Sequence, residues 1–192
     1  MANSDLIKQV EHLQQQYQRK LPPVAEWNPK LSGDMDMRIG SDGSWYHEGT
    51  RIQRQPLVNL FSTILKREGD DYFLVTPVEK WRIRVDDAPF VVVAGERVDA
   101  TDGKPQYYVF TTNTDDNVVL DKDHRLWVEN DESTNEPRPY IIVRDNLPGL
   151  IHRNVYYHLI EQALGPTSSK QKSSTDADAV GIESCGKWFS LS

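Results

Sequence analysis

Long apolar runs are missing from this 192-residue chain. The longest, residues 88–94, holds seven residues and includes Pro89. A membrane-crossing helix needs about 18, so none is expected. Cysteine is almost absent. Cys185 stands alone, which excludes an internal disulfide and a cysteine-based zinc site. An excess of positive charge is missing too: 22 Lys and Arg face 29 Asp and Glu, a net charge of −7. General nucleic-acid binding rests on neutralising phosphates, so nucleic acid is not an expected partner. The first residues lack the apolar core of a secretion signal, because Asp5, Lys8 and Glu11 interrupt them. A cytoplasmic location is the expectation. The five histidines (His12, His47, His124, His152 and His158) include no pair at helical i, i+4 spacing, so neither a metal nor a cofactor is expected.

What is present is a regular alternation of elements. Leu6, Val10, Leu13, Tyr17 and Leu21 form one stripe of an amphipathic helix, ended by Pro22 and Pro23. A hairpin follows, residues 35–40 and 45–52 about a turn at Asp42-Gly43. A second helix starts near Pro56 with the stripe Leu57, Leu60, Phe61, Ile64 and Leu65. Strands are expected at 72–76, 78–85, 89–98, 106–112, 117–120, 125–129 and 139–143. A third helix runs from about 150 to 164, a polar loop covers 167–179, and a hairpin over 180–191 ends the chain. Shifting the chain by 99 residues lays Ile52, Arg54, Leu60 and Leu65 on Ile151, Arg153, Leu159 and Leu164. This suggests an internal repeat built around the second and third helices.

Two near-motifs fail on chemistry. Residues 181–187 fit the phosphate-cradling pattern G-x-x-x-x-G-K, but Trp188 stands where Ser or Thr must bind magnesium, and no helix can follow. Residues 121–132 put Asp121, Asp123 and Glu132 at calcium-loop positions, but Leu126 occupies the place of the turn glycine. His47 beside Glu48, and His124 after Asp123, are candidate general bases. No nucleophile motif accompanies them. Cys185 reads as a small packed residue.

The clustered cations are more informative. Along residues 80–85, Trp81, Ile83 and Val85 share one face, and Lys80, Arg82 and Arg84 share the other, spanning about 13 Å. In an acidic chain this is a local reversal of sign. It offers either an anion site or a face neutralised by a neighbouring strand such as the one carrying Glu96. Arg54 and Arg153 stand at the entrances of the two matched helices, where the dipole disfavours a cation. Each needs a carboxylate such as Asp42, or a shared ligand. Trp45, Trp81, Trp127 and Trp188 fall on expected strands and read as core.

SDGSWYHEGTRIQR (41–54), LFS (60–62), LVTPVEKW (74–81) and PYIIVRDNL (139–147) resemble the bacterial domain of unknown function 1285 family. So do TTN (111–113), HRLWV (124–128) and the closing hairpin through Gly186 and Phe189. The resemblance covers about residues 26–191. It implies an α+β fold: a duplicated core of antiparallel sheets, each packed with a helix, the second half similar to a pleckstrin-homology barrel. With the residue reading, the division becomes an N-terminal helix (1–25), a first half (26–77) and a second half (78–192).

The resemblance also implies a site between the halves for a nucleotide-like ligand, a role in signal transduction, and no catalytic set. The polar residues of the matching motifs (Asp42, His47, Glu79, Lys80, Arg54, Arg144 and Arg153) become the candidate site, with Trp81 or Tyr140 packing against the ligand. The expectation is a non-catalytic protein that binds a small anion. Its alternatives are a protein-interaction module and a hydrolase using His47 or His124.

Overall fold

The computed structural model describes residues 21–101, 103–165 and 180–192. The expected N-terminal helix and the polar loop at 167–179 lie outside the described residues. The chain divides into two units, Met1–Asp87 and Ala88–Ser192.

The first unit is a six-stranded sheet. Its strands are β1 (Leu31–Ile39), β2 (Trp45–His47), β3 (Thr50–Arg51), β4 (Leu65–Glu68), β5 (Asp71–Val75) and β6 (Lys80–Val85), in the order β3-β2-β1-β6-β5-β4. All neighbours are antiparallel except β1 and β6, which run parallel. The sheet is therefore mixed, where the sequence suggests a purely antiparallel one. Residues 45–52 do not form one strand. Glu48 and Gly49 take positive φ (48° and 73°), and that tight turn folds the segment into β2 and β3. The segment 78–85, assigned from sequence to the second half, supplies β6 at the centre of this sheet.

Helix α1 (Gln55–Ser62) lies between β3 and β4. It buries Val58, Leu60 and Phe61, and the Phe61 ring stacks on Trp45 with centroids 6.2 Å apart. Burial of each such side chain contributes about 2–3 kcal/mol. The helix is shorter than its stripe suggests. Thr63 and Ile64 bond back only three residues, to Leu60 and Phe61, and Leu65 then enters β4 opposite Leu74. Leu65 is an inward strand residue, and β4 is invisible to a helical reading.

The second unit repeats the plan. Its sheet holds β7 (Phe90–Val98), β8 (Tyr107–Thr112), β9 (Asn117–Val119), β10 (Leu126–Asn130), β11 (Pro137–Arg144) and β12 (Leu147–Ile151). The order is β10-β11-β12-β7-β8-β9, again with one parallel pair, β12 and β7. Counted from the start of each unit, both sheets read 3-2-1-6-5-4. This is a duplicated core, and one of the two sheets curls into a half-barrel.

The duplication is not the one found at 99 residues. Helix α2 (Arg153–Leu164) follows the sixth strand of its unit, whereas α1 sits between the third and fourth. The two helices superposed by sequence are topologically different elements. They share a stripe because each must cover an apolar surface. Strand β12 takes the place of the expected third-helix start. Gly149 lets it lie against β11, since a Cβ there would come within 2.8 Å of Val143. A final hairpin, β13 (Gly181–Ser184) and β14 (Lys187–Ser190), packs by α2, and Ile182, Phe189 and Leu191 are buried. Cys185 and Gly186 make its turn at φ 51° and 72°, so a strand follows Lys187 and no phosphate loop exists.

Candidate functional site

In the first unit, the strand pairing decides what surrounds each cation. Lys80, Arg82 and Arg84 do share a face of β6, as alternation requires. The same face of the sheet carries carboxylates, on β1, β5 and β4. Lys80 Nζ lies 2.9 Å from Glu68 on β4, and Arg84 lies 3.0 Å from Asp36 on β1. Arg82 Nε sits 3.7 Å from Asp34 and 3.8 Å from Asp71, near enough for attraction but too far for hydrogen bonds. Arg38 faces Asp86 at 3.5 Å. The partners are thus Glu68, Asp34, Asp71 and Asp36. Glu96 belongs to β7, in the other sheet. The hydrogen bond from Lys80, reinforced by Lys66, holds the Glu68 carboxyl below the usual range against the opposing effect of burial. The run of cations is a ladder of cross-strand ion pairs. Lys80 also rides over the Phe73 ring, 5.0 Å from its centroid.

Trp81 turns to the opposite face, where its ring packs on Gly33 and its indole N–H reaches Glu79 at 3.4 Å. Gly33 has φ 145°, and a Cβ there would sit 3.3 Å from the Trp81 ring. Asp42, His47 and Arg54 lie elsewhere in the unit. Asp42 closes the β1–β2 turn by accepting from Ser44 N at 2.9 Å and Ser44 Oγ at 2.8 Å. Those bonds hold its carboxyl below the usual range. It is a turn-forming residue and not the expected partner of Arg54. His47 pairs across β2 with Met37 and Thr50. Arg54 occupies the N-cap position of α1, exposed and without an ion pair among the described residues. Lys80 stands at the Leu31 end of β1, Asp42 beyond its Ile39 end. Nine residues of strand separate these ends by about 26–30 Å, so the six first-unit candidates do not form one cluster.

In the second unit, Arg144 is the best-organised cation. Its Nη1 donates to Asp116 Oδ1 at 2.7 Å, and its guanidinium lies over Phe90, 4.7 Å from the centroid. The side chains of Arg144 and Asp116 keep only 14% and 19% of their exposure. Asp116 is held in turn by Thr114 Oγ1 at 2.8 Å, and Thr114 contacts Thr112 Oγ1 at 3.1 Å. Thr112 and Thr114 are buried. The TTNTDDN turn therefore builds a polar cluster that ties β8 and β9 to the end of β11. Sequence reading saw the turn but not Asp116, because nothing local marks Arg144 as its partner 28 residues away.

Tyr140 is buried, stacked on Trp127 at 5.4 Å, with its hydroxyl taking a bond from Arg138 Nε at 3.0 Å. Arg153 pairs with Glu136. Its place at the start of α2 is thus explained by a carboxylate. The α2 N-cap is His152, whose ring accepts from Asn154 N at 3.3 Å. His124 Nδ1 lies 2.9 Å from Asp121, whose carboxylate also takes the N–H groups of Asp123 and His124. These bonds close a turn between β9 and β10 where the calcium-like spacing falls. Among the described residues no group of three or more His, Cys, Asp or Glu is arranged to hold a metal. Ser184, fully buried, donates to Leu120 O at 2.6 Å and accepts from Tyr108 N at 3.0 Å, pinning the last hairpin.

Two family models account for nearly the whole described chain. The N-terminal domain of the domain of unknown function DUF1285 matches residues 22–88, and the DUF1285 C-terminal domain matches residues 89–191. The chain belongs to the DUF1285 family. The join between the two DUF1285 domains coincides with the passage between the two sheets, after β6 and before β7. A crystal structure of a DUF1285 family protein from Silicibacter pomeroyi is 41% identical. It covers 90% of this chain and 88% of its own, with a TM-score of 0.78. A second DUF1285 crystal structure, from Shewanella baltica, is 27% identical over 66% of this chain and 91% of its own, with a TM-score of 0.51. No curated protein matches the chain. Among the described residues, no helix is long and apolar enough to cross a membrane.

Proposed function

We propose that this DUF1285 protein is a non-catalytic, cytoplasmic interaction module that acts in signal transduction through contacts with a protein partner. One contrast carries the reading. The cations suited to an anion are engaged within their own units: Lys80 by Glu68, Arg144 by Asp116, Arg153 by Glu136. Large apolar side chains are not. On α2, Tyr157 and Leu164 stand one heptad apart and are 50% and 69% exposed. Two turns of helix put them on the same side, a stripe facing water. An anion would have to displace a carboxylate from Lys80 or Arg144, whereas an apolar partner displaces only water.

The test is a pair of variants, Tyr157→Asp and Leu164→Glu, in the full chain. Both retain the native melting temperature and lose a partner captured by the wild type with in-cell cross-linking. Retention of that partner by both variants overturns the reading.

One cation supports a second reading, a small nucleotide-like anion. Arg54 is exposed at the start of α1 with no ion pair among the described residues. A thermal-shift screen of nucleotides and phosphorylated metabolites, repeated on Arg54→Ser, checks it. A stabilisation present in the wild type and lost in the variant favours the anion.

A further inference from the structure

The apolar stripe on α2 has two flanks of different chemistry. Tyr157, Ile160 and Leu164 follow one another by three and four residues, the spacing of a coiled-coil seam. Tyr157 and Leu164 stand in water, and Ile160 is half-buried between them. Val155, Tyr156 and Leu159 take the buried side of the helix, which packs on β7 and β13. Helical spacing puts Tyr156 along one flank of the seam and Glu161 along the other. The Tyr156 flank is closed, because its hydroxyl donates to Leu191 O at 2.6 Å. The other flank is open: Asn154, His158 and Glu161 are all exposed.

The charge bordering the seam is of one sign. At its N-terminal end Arg153 is engaged by Glu136, which brings the acidic β10–β11 turn against the helix. In that turn Asp131 is engaged by Arg138. Glu132 is exposed and has no ion pair among the described residues. On the open flank Glu161 lies 3.9 Å from His158, which is charged only when protonated. The two arginines are thus neutralised, and Glu161 and Glu132 are left as uncompensated acid.

This border selects among occupants. A second copy laid antiparallel, each Tyr157 on the other chain's Leu164, puts the two-fold axis between Ile160 and Glu161. The two Glu161 carboxylates then meet at the axis, a like-charge contact. A helix with Lys or Arg beside its apolar side meets the same residues with the opposite sign.

We propose that this face of α2 receives a basic amphipathic helix of a protein partner. Its apolar side lies on Tyr157, Ile160 and Leu164, and its cations face Glu161 on the open flank and Glu132 at the N-terminal end. This rests on the protein-interaction reading above and names the partner's chemistry. A helix suits the seam because residues at three- and four-residue spacing form ridges that fit another helix's grooves. Tyr157 and Leu164 are about 10 Å apart along the axis, so the contact is small and the complex transient.

Two labelled synthetic helices of about 20 residues test this, one with lysines and one with glutamates flanking the same leucine seam. Fluorescence anisotropy with the full chain should show the lysine helix bound about tenfold tighter or more. Tyr157→Asp and Leu164→Glu lose both helices. Glu161→Lys leaves the apolar seam in place and lowers the ratio about threefold or more. Equal affinity for the two helices, no affinity for either, or an unchanged ratio in Glu161→Lys overturns the proposal.

Light scattering on the chain alone checks the other occupant. A monomer is the expected result, and a dimer dissolved by Leu164→Glu overturns the proposal. If the lysine helix fails while the cross-linked partner is still lost in Tyr157→Asp, the partner chemistry is wrong and the interaction reading stands.

Discussion

The two units share one sheet plan and differ in how it is covered. The first sheet receives α1 from within its own strand sequence, after β3 and before β4. The second is completed from outside, by α2 and the β13–β14 hairpin after its sixth strand. The lesson concerns what a duplication preserves. The strand order 3-2-1-6-5-4, with its single parallel pair, fixes a surface that must be covered. It does not specify which segment covers it. The polar interactions differ as well. The first sheet spreads its charge over an exposed ladder, while the second concentrates it in the half-buried Arg144–Asp116 pair seated on Phe90.

If coverage is the element that differs, removing a covering residue has the largest effect. Phe61→Ala takes the ring from its stack on Trp45 and leaves a cavity under α1. It is expected to destabilise the protein by about 3–5 kcal/mol in chemical denaturation. Exchange protection is lost first in β1, β2 and β4. Loss first in β7–β12 would contradict the assignment of α1 to the first sheet.

Next comes the concentrated pair. Asp116→Ala leaves the Arg144 guanidinium on Phe90 without its carboxylate and frees Thr114. A loss of about 2–3 kcal/mol is expected, between the exposed and buried limits for ion pairs. Ser184→Ala removes the bonds to Leu120 O and Tyr108 N at the hairpin, for about 1–2 kcal/mol. Its signature is early exchange of β13 and β14.

The smallest effects belong to the ladder. Arg84→Met breaks an exposed pair, and less than about 1 kcal/mol should be lost. The ladder still has a pH signature. Glu68 is held below its usual value by Lys80, so its contribution is present above the ordinary glutamate value of about 4.3 and is lost as pH falls through the lower folded value. Lys80→Met should flatten that acid limb of the stability curve. An unchanged limb would remove Glu68 from the account.

Much of the fold is legible in the sequence, because alternation and turn residues act locally. Strands β5 to β11 and the last hairpin stand close to where periodicity places them. What was hidden depends on distant partners. Leu65 suits a helix stripe or an inward strand position, and only Leu74 decides for β4. The apolar stripe suggests a helix from about residue 150, yet Leu150 and Ile151 end β12, and Gly149 is the small residue that lets that strand lie against Val143. The 99-residue match reflects two amphipathic helices meeting the same physical need, at different places in the topology.

Among the candidate site residues, alternation foresaw the common face of Lys80, Arg82 and Arg84. It could not foresee the carboxylates opposite them. Asp34 and Asp36 meet β6 only through parallel pairing of β1, more than 40 residues away. Asp116 meets Arg144 only because the TTNTDDN turn closes over the end of β11.

The central claim is that these cations are engaged internally and that the protein works through protein contacts. Isothermal titration of the wild type with ATP, GTP and a cyclic nucleotide at millimolar concentration tests it most directly. The account predicts no saturable heat. Saturable binding that disappears in Lys80→Met or Arg144→Met would contradict it.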